Sequence, residues 1–505
     1  MRHPFRLFFA LLLAISAPAA LASGQQQTLT ILHSNDTHGH LLPFSYPDGA
    51  GTGSNALPSI RDIGGIARRA TLAKRIREQL ARHGTPVWLV DVGDYSDGTP
   101  FSTEYKGEAD VAAMNAAGYD FGTLGNHEFN YPAAHVRKLV AATKYRLVLA
   151  NATDRQTGKP LVPPYAIEQV GQVRVGVFGL ITREAATYPA GKEAFQVTEE
   201  IQAAREMVAT LRGKADILVL LSHAGEEVDR LLAAEVPEID VIVGGHSHSR
   251  LPSGSFVFGA GDLRVADVDS TVIVQAHQWG GELGRLDLVF TRNGNGRWRV
   301  DRSLSLAGLL PVTADIPEDP GVAAVVDRFW KPIAGNYGEV LGRAEGEFIG
   351  RGDDLAEYHL VADAVRETFG ADFGMENRGG VRAPLLSGPI TKDDLVKMDP
   401  FDNTVIRFKA TGREIREILS RHSPAVSGIR YRLKAGQLVE VSIGGRPLED
   451  DALYTGVTNS YFAGFALKGM KVEDTKKARL DTLIEYIRKK GTVRPAYDGR
   501  RVVIR

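Results

Sequence analysis

The residues of this chain best suited to chemistry fall in five short clusters, each just after a run of aliphatic residues. Asp36 and His38 lie in Asn35-Asp36-Thr37-His38-Gly39-His40, Asp94 in Asp91-Val92-Gly93-Asp94, and Asn126 and His127 in Gly125-Asn126-His127-Glu128. His223 follows Ile217 to Leu221, and His246 and His248 lie in Gly244-Gly245-His246-Ser247-His248. The chain has no cysteine, so any metal must be held by His, Asp, Glu or Asn. Imidazoles mixed with carboxylates suit Zn²⁺, Mn²⁺, Fe or Co better than an all-oxygen Ca²⁺ or Mg²⁺ cage. Two such ions ~3.5–4 Å apart polarise a phosphate, acidify a water and steady the entering and leaving oxygens. The expected chemistry is therefore in-line hydrolysis by metal-activated water. Neither a Gly-x-Ser-x-Gly elbow nor a Walker-type loop points to another hydrolase. Taken singly, each residue is more often a capping aspartate, a turn asparagine or a surface histidine, and it is the ordered set that argues for metal.

Positioning such a set requires a sheet whose strand ends converge. From Thr28 to about Arg302 the sequence repeats a short Val/Ile/Leu run, a polar or glycine-containing turn and often an amphipathic helix, which is an α/β rhythm. Ala67, Leu72, Ile76 and Leu80 recur at helical spacing and should pack on that sheet. Gly284 to Phe290, the Asn293-Gly294 turn and Trp298 to Val300 read as a closing hairpin. Asp319-Pro320 is an N-cap and first-turn pair that starts a helix linking two halves.

At 505 residues the chain exceeds one comfortable core, and two domains are expected. The boundaries read as a signal peptide over 1–22, a first domain over 26–305, a helical linker over 306–338 and a mixed α/β domain over 339–505. Arg2 and Arg6, the apolar run from Leu7 to Ala17 and Ala20-Leu21-Ala22 carry the leader reading, which implies a periplasmic or secreted protein. That run is too short for a membrane span, so stable membrane insertion is not expected. Sixty Lys plus Arg against 61 Asp plus Glu leave no excess charge for a nucleic-acid strand and favour a small-molecule partner. Nothing in the sequence fixes an oligomeric state.

The ordered set Asp36-x-His38, Gly93-Asp94, Gly125-Asn126-His127-Glu128, His223 and Gly245-His246-Ser247-His248 resembles the calcineurin-like metallophosphoesterase signature. With its large C-terminal segment, the chain resembles the 5'-nucleotidase family, which includes periplasmic UDP-sugar hydrolases and ecto-5'-nucleotidases. The resemblance implies a four-layer α-β-β-α domain joined by a helix to an α/β nucleotide-binding domain. It implies two divalent ions, Zn or Mn, one on Asp36, His38 and His248, the other on Asn126, His223 and His246, with Asp94 bridging. His127 is then the transition-state stabiliser or general acid. Many nucleotidases carry Asp three residues beyond this histidine, whereas this chain has Asn130, which cannot raise the imidazole pKa by charge.

In the C-terminal half, Asn377-Arg378-Gly379-Gly380-Val381-Arg382 resembles the family's Asn-x-Gly-Gly-Ile-Arg loop and Asp399-Pro400-Phe401-Asp402-Asn403 its Pro-Phe loop. The resemblance assigns Arg351, Asn377, Gly380, Arg382, Phe401 and Tyr461 to the nucleotide: arginines fork onto anions, Asn reads a base edge and aromatics stack. The family's Gly-Gly-Asp stretch after Tyr461 is replaced by Gly464-Phe465-Ala466-Leu467-Lys468, so base and sugar contacts should differ here. Three functions compete at this stage. The first is an exported phosphohydrolase of nucleoside 5'-phosphates, with nucleoside diphosphates and UDP-sugars as further candidates. The second is a 2',3'-cyclic-nucleotide phosphodiesterase or 3'-nucleotidase, which Asn130 favours. The third is a catalytically silent nucleotide-binding or adhesion protein, for which Arg351-Gly352-Asp353 is only a chance spelling.

Overall fold

Strand patterning explains the layers of the N-terminal half in the computed structural model, which describes residues 26–48, 61–258 and 270–504; the leader reading at 1–22 lies outside them. Ile217–His223 is aliphatic on both faces: Ile217, Val219 and Leu221 point into one core while Leu218 and Leu220 point into another. A strand buried on both sides belongs in the middle of a stack, and parallel strands are the usual solution. Accordingly it pairs in parallel with Val173–Ile181 and Val241–Gly244, and the latter pairs with Ser270–Val274. Antiparallel edge strands Tyr165–Val170 and Ser255–Phe258 complete this six-stranded sheet.

A second, seven-stranded sheet faces it. Gln26–Ser34 lies in parallel beside Val87–Asp91, followed by the short strands Phe121–Gly122 and Arg146–Leu147. The expected hairpin forms: Glu282–Arg292 runs antiparallel to Gln26–Ser34 and pairs with Trp298–Val300 and Leu306–Pro311. Leu29, Ile31, Val90 and Phe121 of one sheet meet Val177, Val219, Val241 and Val272 of the other in a dry inter-sheet core. Helices Ile66–Ala81, Glu108–Ala117 and Ala133–Ala142 cover the outer face of the seven-stranded sheet, and Glu200–Leu211 and Glu226–Glu235 cover the other. This is the four-layer α-β-β-α arrangement.

Asp319 caps the helix Pro320–Trp330, accepting from the amides of Gly321 and Val322. Its Val322 and Val326 bury themselves in the first half's outer core, so the helix rides on that half before the chain crosses over. Beyond it, a five-stranded sheet runs in the order Ala425–Ser427, Phe373–Glu376, Leu453–Asn459, Thr404–Thr411 and Val472–Ala478. The helix Ala356–Phe369 packs beside it, and Gln437–Ile443, Ile429–Lys434 and Arg501–Ile504 form a further small sheet with Arg446–Pro447. Among the described residues no helix is long and apolar enough to cross a membrane.

Candidate metal centre

The parallel strands of both sheets end on one side, and the polar residues that follow them are fixed by unusual backbone. Asp36, His38, Asp94, His246 and His248 all have positive φ, between 46° and 70°. For a residue with a Cβ this conformation costs roughly 1–2 kcal/mol, a strain that clusters at functional sites. Glycines allow the loops to close on one another: a Cβ on Gly93 would stand 2.2 Å from the Gly125 amide nitrogen, and one on Gly125 would stand 2.1 Å from Asp94 Oδ1. Buried Glu128 clamps the same loops, accepting from the amides of Asp94, Ser96 and Gly125 and from the Ser96 hydroxyl. Burial, aided by the Asp94 charge, pushes its carboxyl up to about 7.

Two ligand groups result. Asp36, His38 and His248 converge, with His248 Nε2 3.3 Å from Asp36 Oδ1 and 3.2 Å from His38 Nε2. Asp94, His223 and His246 form the second group, with His223 Nε2 3.1 Å from Asp94 Oδ2, and His38, Asp94 and His127 close the gap between them. Asn126 borders the second group: its amide donates to Tyr188 Oη, while its buried Oδ1 has no hydrogen-bond partner. His38 Nδ1 lies 3.0 Å from the Ser96 carbonyl and His223 Nδ1 2.7 Å from that of Val92. Those carbonyls demand Nδ1–H and turn each Nε2 lone pair inward, the usual outer support of a metal-binding histidine.

The fields agree with that chemistry. Burial raises the Asp94 carboxyl, but His223 and His127 outweigh it and hold Asp94 well below the usual carboxylate range. Burial lowers His223, yet Asp94 reverses this and pushes it up to about 10. Burial, with Arg382 and His127 adding to it, holds His38 neutral, far below the usual histidine range. Buried carboxylates that pull this hard on neighbouring imidazoles, together with the orphaned Asn126 Oδ1, make a donor set that fits divalent cations.

The C-terminal half supplies the other wall. A cavity of about 780 Å³ is lined by Asp94, Asn126, His127, His246 and His248 from one side and by Asn377, Gly380, Arg382, Phe401 and Tyr461 from the other. Arg382 Nη2 donates to His38 Nε2 at 2.9 Å, reaching into the ligand cluster itself. The Phe401 ring lies over His127, with centroids 6.1 Å apart and planes 26° apart. Tyr461 is half exposed and meets Phe465 edge-on, while Asn377 Oδ1 accepts from Asn459. Arg351 is not brought to the cavity; its guanidinium sits 4.4 Å above the Tyr497 ring.

Sequence reasoning missed two residues here. Asp97, three residues beyond Asp94 in the same loop, places Oδ2 3.1 Å from His127 Nδ1, and Asn130 donates to that same oxygen. Asn130 itself brings no charge to His127, but other residues do: burial lowers the His127 pKa, and Asp94 and Asp97 raise it above the usual value. A search for a third carboxylate in the ligand loops would have found Asp97. Arg479 is fully buried; it grips Asp399 with two nitrogens, pairs with Glu376 and donates to the Gly380 carbonyl. It ties the Asn377–Arg382 loop to the Asp399–Phe401 loop, and nothing local in the sequence marks it.

Comparison with known families matches residues 29–250 to the calcineurin-like phosphoesterases and residues 340–469 to the 5'-nucleotidase C-terminal domain. The chain thus joins a calcineurin-like phosphoesterase domain to a 5'-nucleotidase C-terminal domain. Those two domains together make it a metal-dependent phosphomonoesterase. Among similar proteins of the 5'-nucleotidase family, a 5'-nucleotidase of Vibrio cholerae serotype O1 is 29% identical over 90% of this chain and 89% of its own length. Protein UshA of Salmonella pullorum is 27% identical over 89% of this chain and 88% of its own. The solved 5'-nucleotidase precursor from Thermus thermophilus superposes with a TM-score of 0.82 at 26% identity, covering 94% of this chain and 99% of that one.

Proposed function

We propose that this protein hydrolyses nucleoside 5'-phosphates outside the cytoplasm, with nucleoside diphosphates and UDP-sugars as further substrates to test. The observation that carries the reading is the shared cavity, in which the arginine and aromatics of one half stand against the ligand cluster of the other. Its volume suits a nucleotide-sized ligand. Asp36, His38 and His248 would hold one divalent ion, Asn126, His223 and His246 a second, with Asp94 between them. When bound, such ions polarise phosphoryl oxygens and lower the pKa of a water. Arg382 offers forked donors to the phosphate, Phe401 and Tyr461 offer faces to the base, and Asn377 stands at the cavity wall to read polar edges. His127, whose pKa its carboxylate neighbours raise, turns Nε2 toward the centre, 3.9 Å from Asp94 Oδ2, where its protonated form can donate to a phosphoryl or leaving oxygen. Asn130 still favours the cyclic-phosphodiesterase reading, and the intact Asn377 to Arg382 loop weighs against it. The leader reading of Arg2, Arg6, the apolar run from Leu7 to Ala17 and Ala20-Leu21-Ala22 supports export.

The test is phosphate release by the mature protein, reloaded with Mn²⁺ or Zn²⁺, from 5'-, 3'- and 2',3'-cyclic nucleotides and UDP-glucose, beside Asp94→Ala. Metal-dependent release from 5'-nucleotides that disappears in the variant is the expected result. Cleavage of cyclic or 3'-phosphates alone overturns the substrate assignment, and silence on all of them overturns the enzyme.

A further inference from the structure

His127 can act only if its ring is held in one orientation with one edge toward the reacting phosphate, and Asn130, three positions on in the same short helix His127–Asn130, is neutral. The carboxylate comes instead from the loop after Val87–Asp91. Asp97 Oδ2 stands 3.1 Å from His127 Nδ1, with both side chains buried. Three groups fix that carboxylate: Tyr131 Oη donates to Oδ1 at 2.5 Å, Asn130 Nδ2 donates to Oδ2, and the left-handed backbone at Asp97, with φ of 62°, sets the direction of its side chain. An ionised carboxylate only accepts, so the ring nitrogen facing it must carry the proton. The opposite nitrogen, Nε2, then faces the Asp94 side of the cavity. Phe401 over the ring and the edge of His38 against it at 4.9 Å complete the seat.

We propose that Asp97 is the positioning residue that keeps a proton on His127 Nδ1 and aims Nε2 at the phosphoryl group, where Nε2 can give and take the proton of catalysis. The proposal rests on the phosphohydrolase reading above for its substrate, but not for its geometry. Asp97→Asn is nearly isosteric and keeps the packing, yet an amide can present N–H to the ring and stabilise the wrong tautomer. The Asn130 head group already lies 3.5 Å from His127 Nδ1. A carboxylate at 130 opposite an amide at 97 therefore restores an acceptor within reach from the other side of the same cluster.

Two measurements decide it on the zinc-loaded full chain. In steady-state hydrolysis of the best 5'-nucleotide, Asp97→Asn should lower kcat by about 100-fold or more, with KM within about threefold and bound zinc unchanged. Asp97→Asn combined with Asn130→Asp should regain at least ~10-fold of that loss. In proton NMR, the His127 Nδ1–H resonance, assigned by its absence in His127→Gln, should lie far downfield and move upfield or vanish in Asp97→Asn. The proposal is overturned if the single variant keeps kcat within about twofold, if its activity falls only in step with lost zinc, or if the double variant recovers nothing. Should no nucleotide be hydrolysed, the substrate reading falls and the resonance alone decides: a signal unmoved by Asp97→Asn rejects the contact.

Discussion

Replacing Arg479 by Met tests whether the nucleotide-facing loops are held by one buried cation. Arg479 and its two carboxylate partners are almost fully inaccessible, at 0% for Arg479, 0% for Asp399 and 0% for Glu376. Burial already raises the Glu376 carboxyl, with Arg479 the main force restraining it. Methionine fills much of the volume but leaves two carboxylates facing each other out of water. Breaking a buried pair in this way costs about 3–5 kcal/mol. Glu376, already raised by burial, can escape by binding a proton in the folded state, so its folded pKa rises further above the unfolded one. The folded variant then holds a proton that its unfolded chain has released, and its deficit grows as pH rises above the ordinary carboxylate range. Urea unfolding of the C-terminal half, followed by hydrogen exchange of the Phe373–Glu376 and Leu453–Asn459 strands, measures the loss. A triple variant, Arg479→Met with Glu376→Gln and Asp399→Asn, should recover most of it, because removing all the partners leaves no uncompensated charge. The reasoning is refuted if the single variant loses less than about 1 kcal/mol, or if the triple variant is no more stable than the single.

Other outcomes follow from the same geometry. Burial raises the Asp229 carboxyl from the usual 3.8 to about 8, and Ser222 Oγ donates to it at 2.5 Å. Between those values the folded chain holds a proton that the unfolded chain has lost, so stability falls as pH rises, by up to about 1.4 kcal/mol per pH unit. Asp229→Asn should flatten that slope, read by urea unfolding at two pH values inside the window, and an unchanged slope rules the assignment out. Gly125→Ala forces a methyl to within 2.1 Å of Asp94 Oδ1, and should lower bound metal in elemental analysis and cost about 1–3 kcal/mol in thermal unfolding. Phe401→Ala removes a stacking face and should raise KM for 5'-nucleotides by roughly 5- to 150-fold, with kcat falling less; an unchanged KM would place the base elsewhere.

The convergence of the candidate ligands was legible because each follows an aliphatic run within a few residues, and the strand ends meet on one side of the sheets. The same holds for the hairpin at Glu282–Arg292 and for the cap at Asp319. Asp97 escaped because its relation to His127 runs across 30 residues between two loops, and a short polar stretch does not say which oxygen meets which ring. Arg479 reads as one more arginine at the start of a helix; its burial depends on two acids brought from 80 and 103 residues away. Arg351 illustrates the converse: alignment to a motif placed it near the nucleotide, while the fold lays it on Tyr497. The strand Tyr165–Val170 was not read because its alternation is blurred on an edge where only Val170 is fully buried.

The bond from Arg382 to His38 Nε2 has a thermodynamic corollary. A single lone pair cannot serve a guanidinium and a cation together, so were a divalent ion to take His38, Arg382 would have to give up that acceptor. The displaced fork of donors then has an unmet demand for negative charge at the mouth of the newly charged centre. An oxyanion entering the cavity meets that demand, so occupancy of the centre should sharpen its affinity for phosphate. Linkage runs equally in reverse, and the bound anion should slow the departure of the metal by the same free energy.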